Sequence, residues 1–143
     1  MLDGGAHIYD AYECAGGKWI SIGSIEPQFY PLLLEKGEIA DPDFQNQMGR
    51  ENWPQLNAKI ADIFKSKTRD EWCELMEGSD VCFAPVLSLD EAPEHPHNAS
   101  RDALIEIDGL MQPAPAPRFS RTPTARPEPP PKAGENTDQI LAA

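Results

Sequence analysis

Basic residues are scarce: 12 Lys and Arg stand against 24 Asp and Glu, giving a formal net charge of −12. A field of that sign repels phosphate backbones and anionic headgroups, which excludes general nucleic-acid binding. Long apolar runs are missing, since nowhere does the chain approach roughly 18 consecutive apolar residues, and no basic flank leads into an apolar stretch at its start. Neither secretion nor membrane insertion is expected. Cysteine occurs three times, at Cys14, Cys73 and Cys82, an odd number without CxxC spacing that argues against a disulfide framework or a zinc site. A reducing, cytoplasmic compartment fits that usage. The GxGxxG, P-loop, GxSxG, HExxH and EF-hand patterns are also absent, so most common chemistries lose their main signal.

Proline is the residue in excess, and 8 of the 15 prolines fall within residues 113–131. That stretch cannot form a helix or a central strand, because proline lacks the N–H and fixes φ. The charge changes at the same place: residues 1–112 carry net −13, whereas 113–132 hold Arg118, Arg121, Arg126 and Lys132 against Glu128 alone. The expected organisation is an acidic small domain over 1–112, followed over 113–143 by an extended, Pro-rich strap and a short terminal helix. A chain of 143 residues has room for one domain with an ordered tail, and too little for a typical multi-domain enzyme.

Within the body, residues 7–13 and 18–22 are rich in aromatic and β-branched types and flank Ala15-Gly16-Gly17, which predicts a β-hairpin with Ile20 and Ile22 facing the core. Ser24 reads as the N-cap of a helix containing Pro27 in its first turn, with Phe29, Leu32 and Leu33 at helical spacing. Residues 38–51 read as an irregular loop. Leu56, Ile60, Ile63 and Phe64 make the apolar stripe of a helix capped by Asn52; Thr68-Arg69-Asp70-Glu71 is a capping box opening a second, with Trp72, Leu75 and Met76 inward. The two are expected to pack as an antiparallel pair. Residues 81–87 predict a buried strand with Pro85 at an edge or bulge, and Ser88-Leu89-Asp90-Glu91 a further capping box whose helix ends at His95-Pro96. Leu104–Ile107 before Asp108-Gly109 predicts a strand entering a hairpin. The fold class is therefore α+β: a short antiparallel sheet with amphipathic helices, then the strap.

Taken residue by residue, the chemistry is thin. His95 and His97 offer two donors with no third ligand nearby, so no metal site is expected. Cys82 reads as a small core hydrophobe, having no positive neighbour to lower its pKa. Glu26 is the best single candidate for function, placed where a strand gives way to a helix whose N-terminus favours a carboxylate. The plainer alternative is a carboxylate that only complements the helix dipole.

The order of motifs says more. Leu2-Asp3-Gly4-Gly5-Ala6, Tyr9-Asp10, Tyr12 and Gly23-Ser24-Ile25-Glu26-Pro27-Gln28-Phe29-Tyr30 come first. Glu71-Trp72-Cys73, Cys82-Phe83-Ala84-Pro85-Val86, His97-Asn98 with Arg101, Gln112 through Phe119 and Gly134-Glu135-Asn136-Thr137 follow. In this sequence they resemble the class III CoA-transferase family (CaiB/BaiF type), and within it the α-methylacyl-CoA racemases. His7-Ile8 departs from the family, which often has proline and an aromatic there, as does Asp102, where glycine is common.

The resemblance implies a C-terminal portion of a longer enzyme whose large domain supplies the CoA site and a His/Asp pair. It implies that Glu26 is the carboxylate supporting a catalytic histidine from the partner subunit of an interlocked homodimer. It further implies that Tyr9 and Ile25 line an acyl pocket, and that Met1 and Leu2 belong to the apolar surface under the acyl chain. The substrate would be an acyl-CoA, with no cofactor or metal, and residues 1–143 alone would be inactive. Two other readings stand beside it: CoA transfer between carboxylic acids through an aspartyl anhydride, and a non-catalytic module whose strap, with Arg118 and Arg126 near prolines, is a polyproline ligand for an SH3-like partner.

Overall fold

The computed structural model describes all 143 residues, Met1–Ala143. They form two compact units, Met1–Leu87 and Ser88–Ala143.

The first unit is built on a three-stranded antiparallel sheet in the order β1-β2-β3, with β1 Tyr9–Glu13, β2 Trp19–Gly23 and β3 Phe83–Val86. Gly16 and Gly17 take φ of +82° and +81° in the β1–β2 turn, a conformation that only glycine adopts without strain. Alternation along the strands buries Tyr12, Ile20 and Ile22 on one face, while Ala11, Trp19, Ala84 and Val86 stay exposed on the other. Pro85 pairs opposite Ile20 in β3, an edge strand, where its missing N–H is tolerated.

Three helices cover the buried face: α1 Tyr30–Lys36, α2 Trp53–Phe64 and α3 Arg69–Met76. The α2 stripe buries Trp53, Leu56, Ile60 and Phe64, one residue per turn on the same face. The α3 capping box forms as the sequence predicts: Glu71 N–H donates to Thr68 Oγ1 (3.3 Å) and Thr68 N–H to Glu71 Oε2 (2.7 Å). Trp72 and Met76 are buried, but Leu75 faces solvent. Rather than pairing along their lengths, α2 lies against β1 and α3 against β3. The two helices meet where Trp72 Nε1 donates to the Phe64 carbonyl (2.9 Å) and the rings cross edge to face at 5.2 Å. Burying side chains of this size contributes about 1.5–3 kcal/mol each.

Several local expectations fail for identifiable reasons. Ser24 does not cap α1; its Oγ donates instead to the Val81 carbonyl (2.5 Å), and α1 begins at Tyr30 with Phe29 in the N-cap position. Pro27 lies in the turn before the helix, and Pro31 occupies its first turn. The 38–51 segment contains two 3-10 turns, Pro42–Gln45 and Arg50–Asn52. Asp41 caps the first, Lys59 ties down Asp41 and Asp43 (2.5 and 2.6 Å), and Phe44 is fully buried. A core residue thus sits in a segment without apolar periodicity. Asn52 precedes α2 but makes no side-chain cap bond. Cys82 is not a core residue: it is exposed, in left-handed backbone geometry at φ +59°.

His7 is completely buried ahead of β1. Its Nε2 lies 2.9 Å from the Tyr30 hydroxyl, which itself donates to the Phe44 carbonyl (2.8 Å). Because the single Tyr30 proton is committed to Phe44, the imidazole must donate from Nε2. Nδ1 then carries a lone pair and has no partner in the core.

In the second unit, Ser88 and Glu91 do exchange capping bonds (Ser88 N–H to Glu91 Oε2, 3.0 Å; Glu91 N–H to Ser88 Oγ, 3.2 Å), but no helix propagates from them. The helix α4, Pro96–Ser100, instead starts at Pro96, whose fixed φ suits a first helical position. β4 Leu104–Ile107 and β5 Leu110–Pro113 form the hairpin signalled by Asp108-Gly109, with φ of +51° and +77° at the turn. Residues 114–136 contain no helix or strand, and α5, Thr137–Leu141, follows. Arg118 and Arg126 each donate Nη2 to a carbonyl on the β4 side of the hairpin, Asp102 and Glu106 respectively (2.6 Å each).

Candidate functional site

The chain leaves β2 at Gly23 and turns sharply before α1, and Ile25 and Glu26 sit in that turn. Its backbone is pinned from both sides. Ile25 N–H donates to the Gly23 carbonyl (2.8 Å), Gly23 N–H to the Cys82 carbonyl (2.8 Å), and Phe29 and Tyr30 N–H both reach the Glu26 carbonyl (3.0 and 3.3 Å). The Gln47 amide adds two bonds from Nε2, to the carbonyls of Ser24 (3.0 Å) and Ile25 (2.8 Å). Against this, the Glu26 side chain is exposed and has no hydrogen bond or ion pair within the chain. A rigid turn therefore presents a free carboxylate.

Tyr9 opens β1 directly opposite Gly23. A Cβ at Gly23 would stand 3.7 Å from the Tyr9 ring, so the ring rests on the glycine backbone. Tyr9, Gly4, Gly23, Cys82 and Ala84 are among the residues lining a cavity of about 500 Å³ on the outer face of the sheet. Slight desolvation of its sulfur, although the residue is exposed, and the nearby Glu26 and Asp80 carboxylates push the Cys82 thiol pKa upward, the direction opposite to activation as a nucleophile. Its left-handed backbone costs about 1–3 kcal/mol.

Of the residues expected to form the site, Tyr9 lies in this cavity, and Ile25 is half-buried against the core in the turn that carries Glu26. Met1 is half-buried and packs on the same core, whereas Leu2 is two-thirds exposed at 66%. Met1, Leu2, Ile25 and Glu26 do not line the cavity, so Tyr9 is the one expected site residue found there. Two contributors escaped the sequence reading. Ser24 and Gln47 act through bonds to carbonyls 57 and 22–23 residues away in the chain, which leave no periodic trace.

A small antiparallel sheet with helices on one face and a carboxylate held out on a fixed turn defines an α+β domain. Residues 2–137 match the model of CoA-transferase family III, and the chain belongs to that family. It is 42% identical over 146 residues to an α-methylacyl-CoA racemase of Mus musculus, covering 99% of this chain and 38% of that protein. The Homo sapiens racemase is 40% identical over 143 residues, covering 99% and 37%. The chain thus spans less than two-fifths of the curated relatives it matches. The crystal structure of a hypothetical protein from Mycobacterium tuberculosis superposes with a TM-score of 0.71 at 24% identity, over 93% of this chain and 39% of that one, a likeness of fold. No helix is long and apolar enough to cross a membrane.

Proposed function

We propose that this chain is the small domain and C-terminal strap of an α-methylacyl-CoA racemase, which interconverts the two epimers of a 2-methylacyl-CoA. The supporting observation is Glu26, a carboxylate free on a rigid turn in a chain that racemases match over 99% of its length. The reaction removes the proton next to a thioester, delocalises the charge into an enolate, and returns a proton to the opposite face. The thioester carbonyl is the electron sink, so the chemistry calls for no metal or redox cofactor.

In this reading Glu26 bonds a catalytic histidine contributed by the partner subunit of an interlocked homodimer, fixing its orientation and raising its basicity, as carboxylates do in other such pairs. Tyr9 and Ile25 border the acyl group, and Met1 and Leu2 extend the apolar surface beneath it. The strap packs on the large domain, the protein works in the cytoplasm, where its three free cysteines stay reduced, and residues 1–143 alone have no turnover.

The competing reading within the family is CoA transfer through an acyl anhydride on an aspartate. Hydroxylamine separates them in the polypeptide carried to the length of the racemase relatives. Epimerisation should survive incubation with acyl-CoA and hydroxylamine, with no hydroxamate on the protein; time-dependent inactivation with a modified aspartate would replace racemisation by transfer.

A further inference from the structure

We propose that Gln47 is a positioning residue for Glu26, a role that rests on the reading of Glu26 given above. Gln47 lies between the two 3-10 turns, half-buried, and its amide nitrogen meets the two carbonyls immediately before Glu26, those of Ser24 at 3.0 Å and Ile25 at 2.8 Å. An amide NH2 has two protons, one for each carbonyl, whereas the opposite orientation would set an oxygen against two oxygens. The donor assignment is therefore fixed by chemistry.

Gln47 is itself held in place. Trp53, buried at the start of α2, donates Nε1 to the Gln47 carbonyl (3.0 Å). A continuous path thus runs from helix α2 through Gln47 to the peptide carrying Glu26. On the other side Ser24 Oγ anchors the same turn to Val81. The carboxylate has no partner of its own within the chain, so what the turn fixes is the position from which the side chain starts. A carboxylate that must meet a histidine on another part of the enzyme gains from such support, because a displacement of about 1 Å can cost on the order of 10²-fold in rate.

The test uses the polypeptide carried to the length of the racemase relatives, with Gln47→Met, which keeps side-chain length and removes both donors, and Gln47→Ala as a second variant. Both should lower kcat for α-proton exchange about tenfold or more, with KM within about twofold, and the loss should disappear when Glu26→Gln is already present. Amide hydrogen exchange should accelerate at Ile25, Phe29 and Tyr30 and stay unchanged along β1 and β2. A tenfold loss that persists in the Glu26→Gln background, or unchanged protection at Ile25 and Phe29, would overturn the positioning role while leaving Glu26 intact. Wild-type exchange in Glu26→Gln alone would remove the role of Glu26 and overturn the proposal with it.

Discussion

Replacing Glu26 by Gln in a polypeptide carried to the length of the racemase relatives is expected to slow exchange of the substrate α-proton about 10²- to 10⁴-fold, the loss expected when the carboxylate behind a catalytic histidine becomes an amide. The substitution keeps the size of the side chain. In the proposed mechanism it removes only the negative charge that would orient and polarise the histidine. Because Glu26 is exposed and makes no bond within the chain, thermal and urea denaturation should be unchanged within about 0.5 kcal/mol. The combination of catalytic loss with intact stability distinguishes an outward-facing carboxylate from a structural one. Exchange within about threefold of wild type, measured as deuterium entering the α-position, would remove Glu26 from the mechanism.

The second large effect concerns stability. Burial lowers the His7 pKa from 6.5 to about 4, since a second imidazole proton would place a donor at Nδ1 with nothing to receive it. Its hydrogen-bond partner at Nε2 is the Tyr30 hydroxyl, and no carboxylate bonds the ring. The unfolded chain binds the proton more readily than the folded one, so stability is full above about pH 6.5 and is lost as pH falls toward about 4. A shift of that size corresponds to about 3 kcal/mol. Urea denaturation of wild type and His7→Phe at pH 7 and pH 4 should show the wild type losing about 3 kcal/mol more than the variant, in which Phe44 still accepts the Tyr30 proton. Parallel losses in the two proteins would show that His7 does not couple folding to acidity.

These two residues mark where sequence reading works and where it stops. Features made from neighbours in the chain were legible. Gly16-Gly17 turned β1 into β2, Thr68 and Glu71 closed the cap of α3, and Asp108-Gly109 turned β4 into β5. Each depends on backbone conformations or bonds reaching three residues or fewer. The Leu56–Phe64 stripe was equally plain, because helical periodicity repeats a burial requirement.

What was hidden involves polar side chains reaching distant backbone. Ser24 carried a sound N-cap signal, but a carbonyl 57 residues away outcompeted the helix for its hydroxyl. The Ser88–Glu91 box also formed, yet Pro93 and Pro96 left no room for helix propagation and it closed a single turn. Phe44 and Gln47 lie in a segment whose composition is that of a loop, and only the packed structure reveals a core anchor and a donor to the Ser24 and Ile25 carbonyls. At the site, the motif order identified the family and the strand-to-helix position made Glu26 the candidate, whereas the hydrogen bonds that hold its turn became visible in three dimensions alone.

The proposal that this domain serves a racemase is tested most directly by supplying a single epimer of a 2-methylacyl-CoA in D2O to a polypeptide carried to the length of the racemase relatives. Both epimers should accumulate, each carrying one deuterium at the α-carbon, with the thioester intact and no acceptor acid required. Retention of the α-proton and of the original configuration, with CoA moving to an added carboxylate instead, would contradict it.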